Sequence, residues 1–417
     1  MGNVFAADYP NAGVPCIHKV PTNLRRENEG ACTPLLIAIG PYHHGKVELA
    51  DMEEHKMRYK EEFNDRFGQD KQKEFKKYIR DNESQIRRYY ADPSNLSSAN
   101  FVKMILLDSV FIIELFLRYY RRDRRNFLVE NLWLGAIRRD LQLLENQLPY
   151  FVLEELYELA FPSPALDENL IPPFRYLSCV FFCLHVPPNI PPLNKEIKVK
   201  HFTDLCRQAL MGTKKPKLDA IKTVKGLPRA VELRKSGVKF RPHMDRKKYL
   251  VDINLRRRKR PVPLFNVVEL QIPPMCINNY TESLIRNVMA FEQCYYPSYA
   301  YVCSYIGLMG CIIADEKDVD LLVRKEIISN QVGSNAVIVD IFKKLGKKIR
   351  PSFSYYSDIC DDLRDHYHNP WNHTIAKLKR KYFKNPWRGT RTVVATICLL
   401  LAFIQILIPI LDVVLAE

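Results

Sequence analysis

A chain of 417 residues with 47% apolar and 26% charged residues has the composition of a folded globular protein, which excludes a disordered or collagen-like chain. Its net charge of +16 is local: Lys195 to Arg260 holds 22 Lys/Arg against 6 Asp/Glu, which accounts for the whole excess and excludes a general nucleic-acid-binding composition. The 11 cysteines include no CxxC pair, and even Cys179 and Cys183, four apart, read as reduced core residues of a cytosolic protein rather than zinc ligands.

The opening "MGNVFAADYPNAGVP" has no basic segment followed by an apolar run, so a secretory leader is not expected. Gly2 lacks the Ser or Thr at position 6 that a myristoylation pattern wants, since Ala6 stands there. The stretch "IAIGPYHHGK" follows. Gly40, Pro41 and Gly45 make a turn, and the adjacent His43 and His44 point opposite ways on an extended backbone, which disfavours one shared metal. Imidazoles that cap helices or bond to buried carboxylates are the structural reading. A metal or acid–base centre would need Glu53, Glu54 or His55 to approach, plus a further ligand.

Asp51–Phe63 reads as an amphipathic helix. Phe75, Ile79, Ile86 and Tyr90 then mark one helical face. Asn100–Leu117 is apolar nearly all round but carries Lys103, Asp108 and Glu114, so it reads as a central core helix whose acids need partners. Asn131–Phe161 reads as two helical stretches broken near Pro149. At that break Glu145, Asn146 and Gln147 lie among apolar residues and should be hydrogen-bonded. Glu292 and Gln293, in "AFEQC", have similar surroundings with Arg286 nearby. A shared polar network that fixes helix packing is favoured over a catalytic carboxylate pair, since no nucleophile, phosphate loop or metal cluster accompanies it.

Short Val-, Phe-, Tyr- and Ile-rich runs between 237 and 273 predict a small antiparallel sheet with "RRRKR" (Arg256–Arg260) at a hairpin turn. That run suits acidic lipid or an acidic partner better than nucleic acid, because only Phe240, Tyr249 and Phe265 could stack bases nearby. The pattern is helical again from Thr281. No GxGxxG, P-loop or long repeat occurs, so no cofactor or catalytic residue is assigned.

The uncharged run Thr392–Leu411 has the length of a transmembrane helix. Lys377, Lys379, Arg380, Lys381, Lys384, Arg388 and Arg391 precede it, with Trp387 where an interfacial aromatic belongs. The expected organisation is a body over 1–376, a basic stalk over 377–391, a membrane helix over 392–411 and a short tail over 412–417. Its fold class is α+β: a predominantly helical globular body with one small antiparallel sheet, then a C-terminal transmembrane helix. The charge rule places the body in the cytosol of a single-pass, tail-anchored protein, with the plasma membrane as the expected site. Sequons at Asn82, Asn95, Asn279 and Asn372 weigh the other way.

Four stretches in order, "IHKVPTNLR" with "IGPYHHGK", "DLQLLENQLPYFVLEELY", "GVKF" before "RNVMAFEQC", and "FKNPW" ahead of the last apolar run, resemble the plant DUF247 family, also called UPF0481. The resemblance spans about Ile17 to Leu411, with "ACTP" (Ala31–Pro34) departing from the aromatic that usually precedes Thr-Pro. It implies a plant membrane protein without an established activity. It also implies a link to reproductive recognition: pollen-side self-incompatibility, or suppression of female organs. The functional expectation is a non-enzymatic, membrane-anchored interaction protein with protein partners. The alternatives are a membrane-tethered enzyme using His43 or His44 with an acidic residue, and a nucleic-acid binder through 195–260.

Overall fold

The computed structural model describes residues 14–122, 128, 133–162, 172–184, 198–211, 226–243, 249–258, 267–347, 355–382 and 386–414. A single turn, α1 (Thr22–Arg25), precedes α2 (Asp51–Asp81), whose first turn carries Asp51, Glu53 and Glu54 against the positive end of the helix dipole. Gly68 breaks α2 sharply at φ +79°, a conformation that side chains with a Cβ resist. Phe63 and Phe75 meet across that break, with ring centroids 5.4 Å apart. Phe75, Ile79, Ile86 and Tyr90 are all buried, as the spacing predicts, but Asn82 ends α2 and starts the short α3 (Glu83–Arg88).

The central helix is α4 (Ser98–Tyr120), capped by the Ser97 hydroxyl, which accepts from the Asn100 amide at 3.4 Å. It packs against α2, α6 (Tyr150–Ala160) and α7 (Phe174–Phe181); α5 (Trp133–Leu141) leads into the irregular 142–149 segment before Pro149. Phe116 on α4 is fully buried and touches the rings of Phe174, Phe181, Phe182 and Phe202. Phe202 begins α8 (Phe202–Met211). A second group of helices comprises α10 (Thr281–Tyr295), α11 (Tyr301–Ile312), α12 (Glu316–Arg324) and α13 (Asn335–Gly346), with α10 packed on α8 and α11. The short α9 (Ala230–Lys235) precedes the sheet in the chain, and α14 (Ser357–His368) and α15 (Pro370–Tyr382) follow the second group.

The small sheet is mixed, not purely antiparallel. Strands β1 (Val238–Pro242), β2 (Asn254–Arg258) and β3 (Val267–Ile272) lie in the order β1-β3-β2, with β1 parallel and β2 antiparallel to β3. A separate parallel pair joins β4 (Met275–Ile277) to β5 (Ile328–Asn330). The physical reason is that β3 inserts between strands that come before it, so the β1–β3 connection is a crossover. The basic run is also placed differently: Arg256, Arg257 and Arg258 lie in β2 itself. Lys259, Arg260 and Phe265 lie outside the described residues.

The C-terminal expectation is corrected. A helix, α16 (Pro386–Val414), occupies the region, but among the described residues no helix is long and apolar enough to cross a membrane. The transmembrane helix over 392–411, the tail anchor and the single-pass placement at the plasma membrane are therefore not supported. Of the expected flank, Lys384 lies outside the described residues, as do the side chains of Trp387 and Arg388. Lys377, Lys379, Arg380 and Lys381 fall on α15, and Arg391 is exposed on α16. Arg380 turns back onto the body, donating to the carbonyls of Arg234 and Lys235 at the end of α9 (3.4 and 2.9 Å).

Phe116→Ala should destabilise the protein by about 3–5 kcal/mol, because the ring fills the centre of a packed aromatic cluster. Urea denaturation measures this; a loss below about 1 kcal/mol would contradict the described core.

Candidate functional site

Residues 33–43 form no helix or strand, yet Ile37, Ala38 and Ile39 are buried. Their backbone groups must therefore find partners. Asp140, at the end of α5 and fully buried, supplies three of them. Its carboxylate accepts from the amides of Leu35 (2.9 Å), Leu36 (2.7 Å) and Ile37 (3.1 Å). Arg139 donates to Asp140 at 2.7 Å and to the carbonyls of Thr33 and Gly30. The Asn146 amide continues the row: its oxygen accepts from Ile39 N at 2.7 Å, and its nitrogen donates to Ile37 O at 2.9 Å.

The turn itself is held from α4. Asp108 accepts from Gly40 N at 2.8 Å and pairs with the buried Lys56 at 2.7 Å, which also donates to Ala38 O. Gly40 has φ +70°, and a Cβ there would sit 2.5 Å from the carbonyl oxygen of Gln147. Only glycine lets the two backbones approach so closely. That same Gln147 carbonyl accepts from the Tyr90 hydroxyl at 3.0 Å. The Gln147 side chain donates to the carbonyls of Leu141 and Leu143 and accepts from Phe202 N at 2.8 Å, tying the segment to α8.

His43 and His44 diverge as their adjacency predicts: His43 is buried and His44 exposed. Glu145 accepts from Val20 N and from Arg25, and its other oxygen lies 3.6 Å from His43 Nε2, beyond hydrogen-bond range. Burial first, then Lys46 and Arg25, push the His43 imidazole down to about 4, so it is neutral at pH 7. Among the described residues, no group of three His, Cys, Asp or Glu side chains is arranged to hold a metal.

The second motif builds a separate clasp. Glu292, fully buried on α10, accepts from Val302 N (3.2 Å) and Cys303 N (2.9 Å) at the start of α11, and from Arg207 Nε at 3.0 Å. Arg286 does not join it: it donates to Leu24 O at 3.2 Å and to Glu282 at 2.6 Å. Gln293 is half-buried and donates to Cys303 Sγ at 3.9 Å. The link between the two motifs is Asn287, whose oxygen accepts from Leu144 N at 3.0 Å and whose nitrogen donates to Ala31 O at 2.9 Å. Burial raises Asp108, Asp140 and Glu292 above their ordinary values, opposed by Lys56, by backbone amides and by Arg207 respectively.

Of the residues singled out in the sequence, Gly40, Glu145, Asn146, Gln147 and Glu292 take part in these contacts. Asp140, Asn287, Arg207 and Arg25 carry no sequence signal, and Asp108 stands out only as an acid in need of a partner. Asp140 reads as one more charge at a helix end, and nothing local marks it as buried.

This fold is a mostly helical body in which carboxylate and amide side chains fasten an irregular segment to the helices. The chain belongs to the DUF247 family, described as a plant protein of unknown function, whose model matches residues 17–401. It is similar to the UPF0481 protein At3g47200 of Arabidopsis thaliana, at 28% identity over 95% of this chain and 86% of the relative. It is also similar to the putative UPF0481 protein At3g02645 of the same plant, at 21% identity over 94% and 89%. No solved structure matches.

Glu145→Ala and Glu292→Ala should each cost about 2 kcal/mol or more, because the first strands the Val20 amide and Arg25 and the second strands two amides and Arg207; unchanged thermal melting would contradict the clasp. His43 adds a pH signature. Its folded value lies below the ordinary 6.5, so its contribution is complete above 6.5 and is lost as pH falls toward 4. Over that window the stability difference between wild type and His43→Gln should change by up to roughly 1.4 kcal/mol per pH unit, to the disadvantage of wild type in acid. A difference independent of pH in urea titrations would contradict a buried neutral imidazole.

Proposed function

We propose that this chain is a non-enzymatic interaction protein of plants whose small sheet receives an acidic protein partner. The observation that carries this is the outer face of the sheet. The register puts Lys239, Glu269 and Arg256 side by side, then Arg241, Gln271 and Asn254, with Arg258 opposite Val267. Lys239, Arg241, Arg256 and Arg258 are exposed, and Glu269 is the one carboxylate among them. The opposite face, with Val238, Phe240, Leu270 and Ile272, is buried in the body. Four cations on one pleated face, anchored by a packed reverse side, complement an acidic surface.

A nucleic-acid partner is disfavoured because Phe240 is buried under the sheet and cannot stack a base. The family resemblance extends the reading to reproductive recognition, in self-incompatibility or floral sex determination. The engagement of Glu145, Asp140, Asn146 and Glu292 with backbone amides and arginines supports a structural use of these motifs over a catalytic one.

The test is proximity labelling in plant cells with the full chain and with a Lys239→Glu, Arg241→Glu, Arg256→Glu variant of unchanged melting temperature. Labelled proteins that wild type crosslinks through acidic segments, and that the variant loses, are the expected result. An identical labelled set from both, or crosslinks to nucleic acid, would overturn it.

A further inference from the structure

A cleft of about 860 Å³ opens between α5, the ends of α7 and α8, the strand β4 and the start of α10. Its volume lies in the range of small-molecule sites, roughly 300–1,000 Å³. Phe182, Leu184, Leu210, Leu250, Met275 and Leu284 give it apolar walls. Its charge is one-sided: Arg138 and Arg139 line it, and none of its described lining residues is Asp or Glu.

The two arginines differ. Arg139 is committed to Asp140, Thr33 O and Gly30 O within the clasp. Arg138 donates only its Nε, to Phe181 O at 2.6 Å, and lies over the rings of Tyr119 and Phe181 at 4.8 and 5.4 Å. Among the described residues no carboxylate pairs with it, and its two terminal nitrogens have no acceptor. A guanidinium fixed against aromatic faces, with its fork open, is prepared for an oxyanion that offers two oxygens side by side, a carboxylate, sulfonate or phosphate.

We propose that this cleft binds a small organic acid with an apolar or aromatic body: the body lies against Leu210, Leu250 and Met275, and the acid group takes the fork of Arg138. This ligand site does not depend on the partner proposed for the sheet. Cys183 and Cys276 line the cleft and are exposed, so they report its occupancy.

The experiment uses the full chain and two probes with the same ring body: 8-anilinonaphthalene-1-sulfonate, and N-phenyl-1-naphthylamine, which lacks the acid group. Iodoacetamide labelling of each cysteine is followed by peptide mass spectrometry, with the exposed Cys398 on α16 as internal reference. The sulfonate should slow labelling of Cys183 and Cys276 in a saturable way and leave Cys398 unchanged. Its affinity should exceed that of the neutral probe by about tenfold, the size of one charge-assisted hydrogen bond. Arg138→Gln should remove that preference and Arg138→Lys should restore part of it. If Arg138→Gln does not fold, Leu250→Trp, which fills the cleft, should abolish protection by both probes. Equal protection by both probes, protection that survives Leu250→Trp, or full-rate labelling of Cys183 and Cys276 at saturating sulfonate would overturn the proposal.

Discussion

Asp140 accepting three successive backbone amides is the constraint on which the first half of this structure depends. The 33–43 segment runs through the interior without a helix or strand to satisfy it. Unpaired backbone groups there would each cost on the order of 1–3 kcal/mol. One carboxylate meets Leu35, Leu36 and Ile37, Asn146 meets Ile37 and Ile39, and Asp108 meets Gly40. The buried charge of Asp140 is tolerated because Arg139 and the three amides surround it. Side chains here do the work that a neighbouring strand would do in a sheet.

The side chains of the motifs that look catalytic are engaged in the same way, with backbone amides and arginines. A general acid or base needs an accessible, titratable group. His43 is buried, neutral and 3.6 Å from a carboxylate already occupied by Val20 N and Arg25. Glu292 bridges α10 to α11 through two amides and Arg207. The surface offers different chemistry: a basic sheet face and a cleft with an open arginine fork.

Much of this was legible in the residues. Periodicity located the buried faces of α2 and α3, the all-round apolar run marked α4 as a core helix, and polar residues among apolar neighbours marked Glu145, Asn146, Gln147 and Glu292. Partner identities were not legible. Arg286 and Arg207 sit in equally apolar surroundings, and only tertiary packing decides that Arg207 meets Glu292. Asp140 follows two arginines, so its local context resembles a solvated helix end. Strand order was hidden as well, since alternation reveals which residues face inward but not that β3 lies between β1 and β2. The apolar run at Thr392–Leu411 shows the opposite failure. Its length, its lack of charge and its basic flank suggested a bilayer span, while among the described residues no helix is long and apolar enough for one.

Amide hydrogen exchange at Leu35 reads out the Asp140 clasp. Leu35 is 57% exposed and belongs to no helix or strand, so only the Asp140 carboxylate distinguishes its amide from that of an ordinary surface loop. In the native full chain, Leu35, Leu36 and Ile37 should exchange as slowly as the core amides of α4, through global unfolding. Exchange of Leu35 and Leu36 at the rate of an exposed loop, while α4 stays protected, would contradict the account.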